Sequence, residues 1–270
     1  MGIRLVTTIV GILAIIAILY FLPSWVLAAA LCFLSAVSAY ELLGATGKLK
    51  GHPLMWVACA AAAAVPYCTA YAPFEGSVTL VLFAFGFVAF VMGIFDYTRV
   101  TFEKLAIAFM GAFILPYFLS SLLRIYVGAG ALGKYYILMP CIAAWVSDIM
   151  AYLVGRLMGK HKLAPHVSPK KTVEGAVGGL LGGAAGMCVF GVIMNRCFGV
   201  GLGLPTLFLC GILGAAAGQL GDLSMSLIKR NVGIKDYGKL FPGHGGVMDR
   251  FDSVIFALIV MYCYTLVLHG

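Results

Sequence analysis

SVTLVLFAFGFVAFVMGIF, residues 77–95, contains no charged side chain over 19 residues. An apolar run of about 18 residues or more is long enough to cross the hydrocarbon layer of a membrane as a helix. The whole chain shares this character, because 63% of its 270 residues are hydrophobic and only 10% are charged. Its mean hydropathy of +1.05 excludes an ordinary soluble domain. The sequence therefore predicts an all-α polytopic integral membrane protein.

Further apolar runs bring the predicted number of membrane-spanning helices to about nine. The runs cover residues 5–22, 24–44, 53–73, 77–95, 105–127, 135–158, 173–194, 204–228 and 253–269. The first run lacks a small-residue cleavage site, so we interpret it as a retained span and not as a signal peptide.

The basic residues predict how these spans are oriented, because cytoplasmic loops of membrane proteins carry an excess of Lys and Arg. We place the N-terminus in the cytoplasm, which with nine spans puts the C-terminus outside. Lys134 and Arg196 then lie outside and Arg124 lies within a span. The other 15 of the 18 Lys and Arg residues lie inside, namely Arg4, Lys48, Lys50, Arg99, Lys104, Arg156, Lys160, Lys162, Lys170, Lys171, Lys229, Arg230, Lys235, Lys239 and Arg250.

The net charge of +8 is therefore predicted to belong to the cytoplasmic face of an inner membrane. It either serves topology alone or attracts anionic lipid headgroups and nucleotides. We expect no nucleic-acid partner, since no soluble domain presents a basic face. By charge density the chain divides into N-terminal transmembrane helices that face lipid or an oligomer, residues 1–133, and a catalytic region with cytoplasmic polar loops, residues 134–270.

The densest group of charges is SLIKRNVGIKDYGKLFPGHGGVMDRFD, residues 226–252, with five Lys or Arg, three Asp and one His. Such a group is tolerated in an apolar chain only where water or a charged ligand meets it. Just before it, the spacing of Asp222, Ser226, Lys229 and Arg230 predicts one stripe along a helix. Either Ser226 and Arg230 simply neutralise Asp222, or the stripe contacts a metal or ligand, which we favour because more polar groups converge than neutralisation needs.

The rest of this segment predicts an anion-binding turn followed by two acids. After Lys235 and Asp236, the Pro-Gly-His-Gly-Gly turn around His244 can adopt positive φ and bring backbone N–H groups to an anion. Asp249 and Asp252 then share one helix face on either side of Arg250. They either hold a cation or offset the helix dipole; we favour the cation, with Asp222 opposite.

A second polar segment precedes the seventh predicted span. Thr172 is predicted to cap that helix, with Glu174 in its first turn. Lys170 and Lys171 either reflect topology alone or reach phosphate oxygens. Ser168 begins the segment.

Other polar residues lie within the predicted spans themselves. Asp148 is a functional candidate because an acid at membrane depth is costly, although a polar contact between helices is the alternative. Glu41 and Arg124 lie nearer span ends, so we expect their side chains to extend toward the membrane surface.

Glycines recur three or four residues apart in the seventh and eighth predicted spans, as at Gly178, Gly182, Gly211 and Gly214. Small residues at this spacing let helix backbones approach closely in lipid. We interpret them as packing positions, because no Gly-Lys-Ser/Thr follows as in a phosphate-binding loop.

The pattern Ser-x-Ile-Lys-Arg-x4-Lys-Asp-x-Gly-x2-Phe-Pro-x-His-Gly-Gly-Val-x-Asp-Arg-Phe-Asp in residues 226–252 resembles the signature of the phosphatidate cytidylyltransferases, or CDP-diacylglycerol synthases. The similarity extends to residues 168–175, to Ser147-Asp148 and to residues 218–222. Before about residue 134 it is one of hydropathy only.

The resemblance implies transfer of CMP from CTP to phosphatidic acid, which gives CDP-diacylglycerol and pyrophosphate. It implies Mg²⁺, leaves open whether K⁺ also binds, and implies a homodimer in the bilayer. Asp222 and Asp249 match the family's metal-binding carboxylates. The predicted catalytic set is Asp222, Ser226, Lys229, Arg230, Asp249 and Arg250. The predicted substrate-binding set is Ser168, Lys170, Lys171, Thr172, Glu174, Lys235, Asp236, His244 and Asp148.

Two other functions are compatible with these residues. One is a related membrane cytidylyltransferase that acts on another lipid phosphate, since hydrophobic shape decides the choice of lipid. The other is an ion-coupled transporter that uses Asp148 and Asp222 as intramembrane carriers. A transporter would leave the Pro-Gly-His-Gly-Gly turn unexplained.

The predicted orientation can be tested with fusions. A phosphatase that is active only outside the cytoplasm is expected to be active when fused after residue 270 and inactive when fused after residue 50, because Lys48 and Lys50 are predicted to lie inside. Activity of the two fusions in whole cells is the measurement. A silent C-terminal fusion that is nevertheless expressed would contradict nine spans.

Overall fold

The structure is a computed structural model that describes residues 17–19, 21–47, 49–72, 74, 76–238, 240 and 245–269, with only the backbone at 268 and 269. In chain order we number the elements α1 Ser24–Thr46, α2 Pro53–Tyr71, α3 Ser77–Phe95, α4 Phe102–Phe109, α5 Leu115–Gly128, α6 Gly133–Tyr136, α7 Met139–Met158, β1 Lys162–Ala164, β2 Ser168–Thr172, α8 Val173–Phe198, α9 Leu204–Asn231 and α10 Met248–His269. A π-helical turn, Met110–Ile114, joins α4 to α5, and a 3₁₀ turn, Gly130–Leu132, precedes α6.

Eight helical segments of the described chain are long and apolar enough to cross a membrane. They coincide with the second to ninth predicted runs, so the all-α polytopic membrane fold is confirmed. Most of the first predicted span, 5–22, lies outside the described residues. The number of nine spans and the orientation of the termini therefore stay predictions.

The chain forms two compact units. One unit comprises residues 1–124 and 234–250, and the other comprises residues 125–233 and 251–270. This grouping differs from the predicted division at residue 133, because the segment 234–250 belongs with the N-terminal helices. The functional division of the chain stays a prediction.

Leucine and aromatic side chains form the core of the first unit. Leu43 of α1, Leu54 of α2 and Phe85 of α3 are buried in one cluster, which also includes Leu105 of α4. Between helices in lipid, such side chains stabilise the packing through van der Waals contacts and not through removal from water. The segment 234–250 belongs to the same unit as this core.

Glycines bring α7, α8 and α9 of the second unit into close contact. A Cβ atom at Gly211 would lie 2.6 Å from the Cα atom of Ala184, and one at Gly183 would lie 2.8 Å from the Cβ atom of Ala215. On the other side of α8, a Cβ at Gly178 would lie 2.6 Å from Val154 of α7. These distances leave no space for a side chain, so the interpretation of the glycines as packing positions is confirmed.

A two-stranded antiparallel hairpin replaces the predicted polar loop ahead of α8. Lys162 pairs with Thr172 and Ala164 with Ser168, with an irregularity between these pairs. Thr172 ends β2 and caps α8, because its Oγ1 accepts a hydrogen bond from Gly175 N at 3.1 Å. The predicted cap is therefore confirmed, whereas strands this short gave too little alternation to be recognised.

The tight glycine contact predicts a large effect of one methyl group. Gly211→Ala is expected to lower the free energy of unfolding by about 1–3 kcal/mol, because the added Cβ meets backbone atoms that cannot move aside easily. Gly128→Ala, where a Cβ has open space, is the matched control and is expected to be neutral or slightly stabilising. Thermal unfolding in a single detergent measures both, and equal melting temperatures would contradict the packing role.

Candidate functional site

Asp222 and Ser226 of the predicted polar stripe are in contact on α9, but the cation next to Asp222 is not Arg230. Ser226 Oγ donates to Asp222 Oδ1 at 3.4 Å, and both Ser226 and Lys229 are 9% exposed. Arg230 instead donates from Nε to the backbone oxygen of Val167 at 3.3 Å. Of the two contacts predicted to neutralise Asp222, the one with Ser226 is therefore present, whereas Arg230 donates its hydrogen bond elsewhere.

Lys171 of the hairpin supplies the cation at Asp222. Its Nζ lies 2.6 Å from Asp222 Oδ2, and the two side chains are 25% and 28% exposed. The Nζ atom itself is buried, and within the described part of the chain its contact with Asp222 is an ion pair. Because neighbouring strand residues point to opposite faces, Lys170 is exposed beside it. Lys170 and Lys171, for which the sequence predicted the same role, therefore have different environments in the hairpin.

Two further carboxylates share this environment in the second unit. Asp148 of α7 and Asp252 of α10 are both repelled by Asp222, and Asp148 also repels Asp252. Lys171 attracts Asp148, and Lys229 attracts Asp252. In addition, Ser253 Oγ donates to Asp148 Oδ2 at 3.2 Å. Asp148, Lys171, Asp222, Lys229 and Asp252 form what we call the acidic site.

Two residues of α9 allow the helices around the acidic site to come together. A Cβ at Gly221 would collide with the backbone oxygen of Asp252, so glycine permits α10 to approach α9. Gln219 donates from Nε2 to Ser147 Oγ at 3.2 Å and to the backbone oxygen of Ala176 at 3.1 Å, which ties α9 to α7 and α8. Gln219 was not among the predicted site residues, although a polar amide in an apolar span is a signal for such a contact.

The donors of the acidic site fit Mg²⁺ only as part of a larger complex. Among the residues that the structure describes, no three His, Cys, Asp or Glu side chains are grouped closely enough to hold a metal ion. Mg²⁺ is usually bound through one or two carboxylates together with substrate phosphates and water. Asp222 is partly exposed and Asp148 is exposed, so carboxylate oxygens are accessible for such shared coordination.

Asp249 lies in the first unit, where its side chain connects two positions of the pattern in residues 226–252, namely Tyr237 and Gly246. Its Oδ2 accepts hydrogen bonds from Tyr237 N at 2.8 Å and from Gly246 N at 3.0 Å, and the residue is 9% exposed. Gly245 has the expected positive φ of 86°. The amide of Gly246, expected to bind an anion, therefore binds a carboxylate of the protein itself. His244 lies outside the described residues.

Glu41 differs from its predicted position near the membrane surface. It is 6% exposed, and its Oε1 and Oε2 accept hydrogen bonds from Val247 N at 3.1 Å and Met248 N at 3.0 Å. The prediction was wrong because the first amides of α10 have no acceptor within their own helix, and Glu41 satisfies two of them from α1.

Some of the remaining candidates form contacts within the protein, and others are exposed. Glu174 accepts hydrogen bonds from Lys160 N at 3.1 Å and pairs with His161 Nδ1 at 2.6 Å, so it braces the hairpin. Ser168 is half-buried, and its contact with substrate stays a prediction, as do those of Thr172 and Glu174. The exposed candidates are Lys170, Arg230, Lys235, Asp236 and Arg250.

The fold and these sites define a polytopic membrane protein that pairs carboxylates with lysines within and next to its candidate membrane spans. The chain belongs to the cytidylyltransferase family, whose model matches residues 2–268.

Several curated proteins are similar to about half of the chain. A phosphatidate cytidylyltransferase of Staphylococcus saprophyticus is 45% identical over 141 residues, which is 49% of this chain and 53% of that protein. Proteins of the same name from Staphylococcus haemolyticus and Staphylococcus aureus are 43% and 42% identical with the same coverage. The matches thus span about half the length of the curated relatives.

The ion pair at Asp222 predicts different roles for adjacent lysines. Lys171→Ala is expected to lower stability by about 1 kcal/mol, because it leaves Asp222 without its cation although partial exposure screens the charge. Lys170→Ala is the matched control and is expected to leave stability unchanged. Melting temperatures in detergent measure both, with a loss of about 2–4 °C expected for Lys171→Ala. Identical melting curves would show that the pair contributes nothing to stability.

Proposed function

We propose that the protein transfers CMP from CTP to phosphatidic acid and releases pyrophosphate. The observation that carries this proposal is the acidic site, in which Lys171 pairs with Asp222 while Lys229 attracts Asp252. Membership of the cytidylyltransferase family supports CTP as the nucleotide, and the similarity to phosphatidate cytidylyltransferases supports phosphatidic acid as the lipid.

The reaction brings two anions together. An oxygen of the lipid phosphate forms a bond to the α-phosphorus of CTP, and the bond from that phosphorus to the oxygen of the β-phosphate breaks. Electrostatic repulsion is the first obstacle, and cations together with fixed positions for both reactants reduce it. The lipid phosphate is largely ionised at neutral pH, so no general base is assigned.

Mg²⁺ is the proposed cofactor and would neutralise phosphate charge when bound. The resemblance assigns its protein ligands as Asp222 and Asp249, and carboxylates are ligands that Mg²⁺ accepts. Asp222 has a hydroxyl neighbour in Ser226, and Asp249 is fixed by two amides. Binding of K⁺ is a further proposal from the same resemblance.

The cations are proposed to bind phosphate oxygens. Lys171 and Lys229 already lie among carboxylates, which keeps both side chains ordered before a substrate arrives. Lys170, Arg230, Lys235 and Arg250 are exposed, so they suit the first encounter with CTP. Asp148 and Ser226 would orient this group through their hydrogen bonds.

The proposed location is the cytoplasmic side of an inner membrane, where CTP is available and where the basic residues are predicted to lie. The bilayer retains the acyl chains of the lipid substrate and of the product. A homodimer is proposed from the family resemblance alone.

The direct test supplies purified protein in detergent with Mg²⁺, phosphatidic acid and CTP labelled at the α-phosphate. Label is expected in the organic phase together with an equal amount of pyrophosphate. Asp222→Asn is expected to reduce both to background, because it removes a charged oxygen ligand without changing shape. Asp96→Asn, a change at an acid that pairs with His52, is the matched control and is expected to stay active.

Absence of labelled lipid from the wild type, beside an active control enzyme, would overturn the proposed acceptor. A panel of other lipid phosphates would then distinguish a related cytidylyltransferase. Ion-dependent uptake into vesicles without CTP consumption would identify a transporter.

A further inference from the structure

The start of α10 is held by a residue that is about two hundred positions earlier in the chain. Glu41 of α1 accepts hydrogen bonds from the amides of Val247 and Met248 at 3.1 and 3.0 Å. Beside it, Asp249 Oδ2 accepts from the amides of Gly246 and Tyr237 at 3.0 and 2.8 Å. Two buried carboxylates thereby bind four amides of one segment.

The backbone of this segment is shaped around the Glu41 carboxylate. A Cβ at Gly238 or at Gly246 would overlap Glu41 Oε1. Neither glycine has the positive φ that would otherwise explain its presence. Glycine is therefore needed at both positions because a larger residue would occupy the space of the Glu41 side chain.

A carboxylate is costly to bury in this position unless it is paired or hydrogen-bonded. The amides at a helix N-terminus attract an anion, and in this protein the anion is internal. A substrate phosphate is therefore not needed to satisfy the amides of Val247 and Met248.

We propose that Glu41 is a positioning residue that holds residues 245–250, and with them Asp249 and Arg250, in their working arrangement. Its effect on catalysis rests on the proposed function. The contact with the backbone does not, and it can be tested separately.

The separate test is limited proteolysis without substrates. Trypsin is expected to cut after Lys235 about tenfold faster in Glu41→Gln than in the wild type, because the NH2 group that replaces one carboxylate oxygen cannot accept the backbone hydrogen bond that this oxygen receives. Cleavage at Lys162 in the hairpin is the internal reference and is expected to stay constant. The same substitution at the exposed Glu103 is the matched control.

Kinetics then tests the catalytic consequence. Glu41→Gln is expected to lower kcat about tenfold while KM for CTP changes less than about threefold, because misplaced groups at the reacting centre reduce turnover more than binding. A purely structural role would lower the yield of folded protein and leave kcat per folded molecule unchanged. That outcome would overturn the proposal.

A double-mutant cycle keeps the inference testable if one variant folds poorly. Gly246→Ala places a Cβ against Glu41 and is expected to reduce kcat, whereas Glu41→Ala removes the group that it meets. The double variant is then expected to be no worse than Glu41→Ala alone, because both changes act on one contact. If the two losses multiply, the residues act independently and the proposal fails.

These outcomes are distinguishable from failure of the proposed function. If the wild type transfers no CMP, the assigned activity is wrong, and the trypsin comparison still decides whether Glu41 holds the segment. If the wild type is active and Glu41→Gln matches it in both cleavage and kcat, only the inference about Glu41 is wrong.

Discussion

A carboxylate within the apolar helices of this protein must be neutralised by the protein itself, because hydrocarbon supplies neither water nor counter-ions. Asp222 obtains a cation from Lys171 of the hairpin. Glu41 and Asp249 obtain backbone amides of the segment that leads into α10. The hairpin and this segment are therefore electrostatic partners of acids in the helices as well as connections between helices.

Close helix packing is what allows such small polar groups to meet. Gly221 leaves room for the backbone of α10 at Asp252, and Gly211 leaves room for α8. Gln219 then joins α9 to α7 and α8 through hydrogen bonds that a wider spacing would prevent. In the second unit, glycine packing and the polar contacts thus depend on each other: a larger residue on the contact faces would separate the groups as well as the helices.

Much of the fold followed from the sequence because spans have a length and an apolar composition that are local properties. The second to ninth runs agree with described helices to within a few residues at most ends, and the Thr172 cap was visible from its position before a helix. The hairpin was missed because its strands are three and five residues long. Within the site, the stripe from Asp222 to Lys229 could be predicted, since helical periodicity alone places those residues together.

The sequence by itself determined the membrane class, most of the spans and the family signature, because hydropathy and motif spacing are read along one dimension. Only the tertiary structure decided which charge meets which. Lys171 rather than Arg230 neutralises Asp222, and Glu41 lies against amides 206 and 207 residues away instead of extending toward the membrane surface. Partners so distant in sequence are selected by the packing of helices and by the need of every buried charge for a counterpart, and neither condition leaves a local pattern.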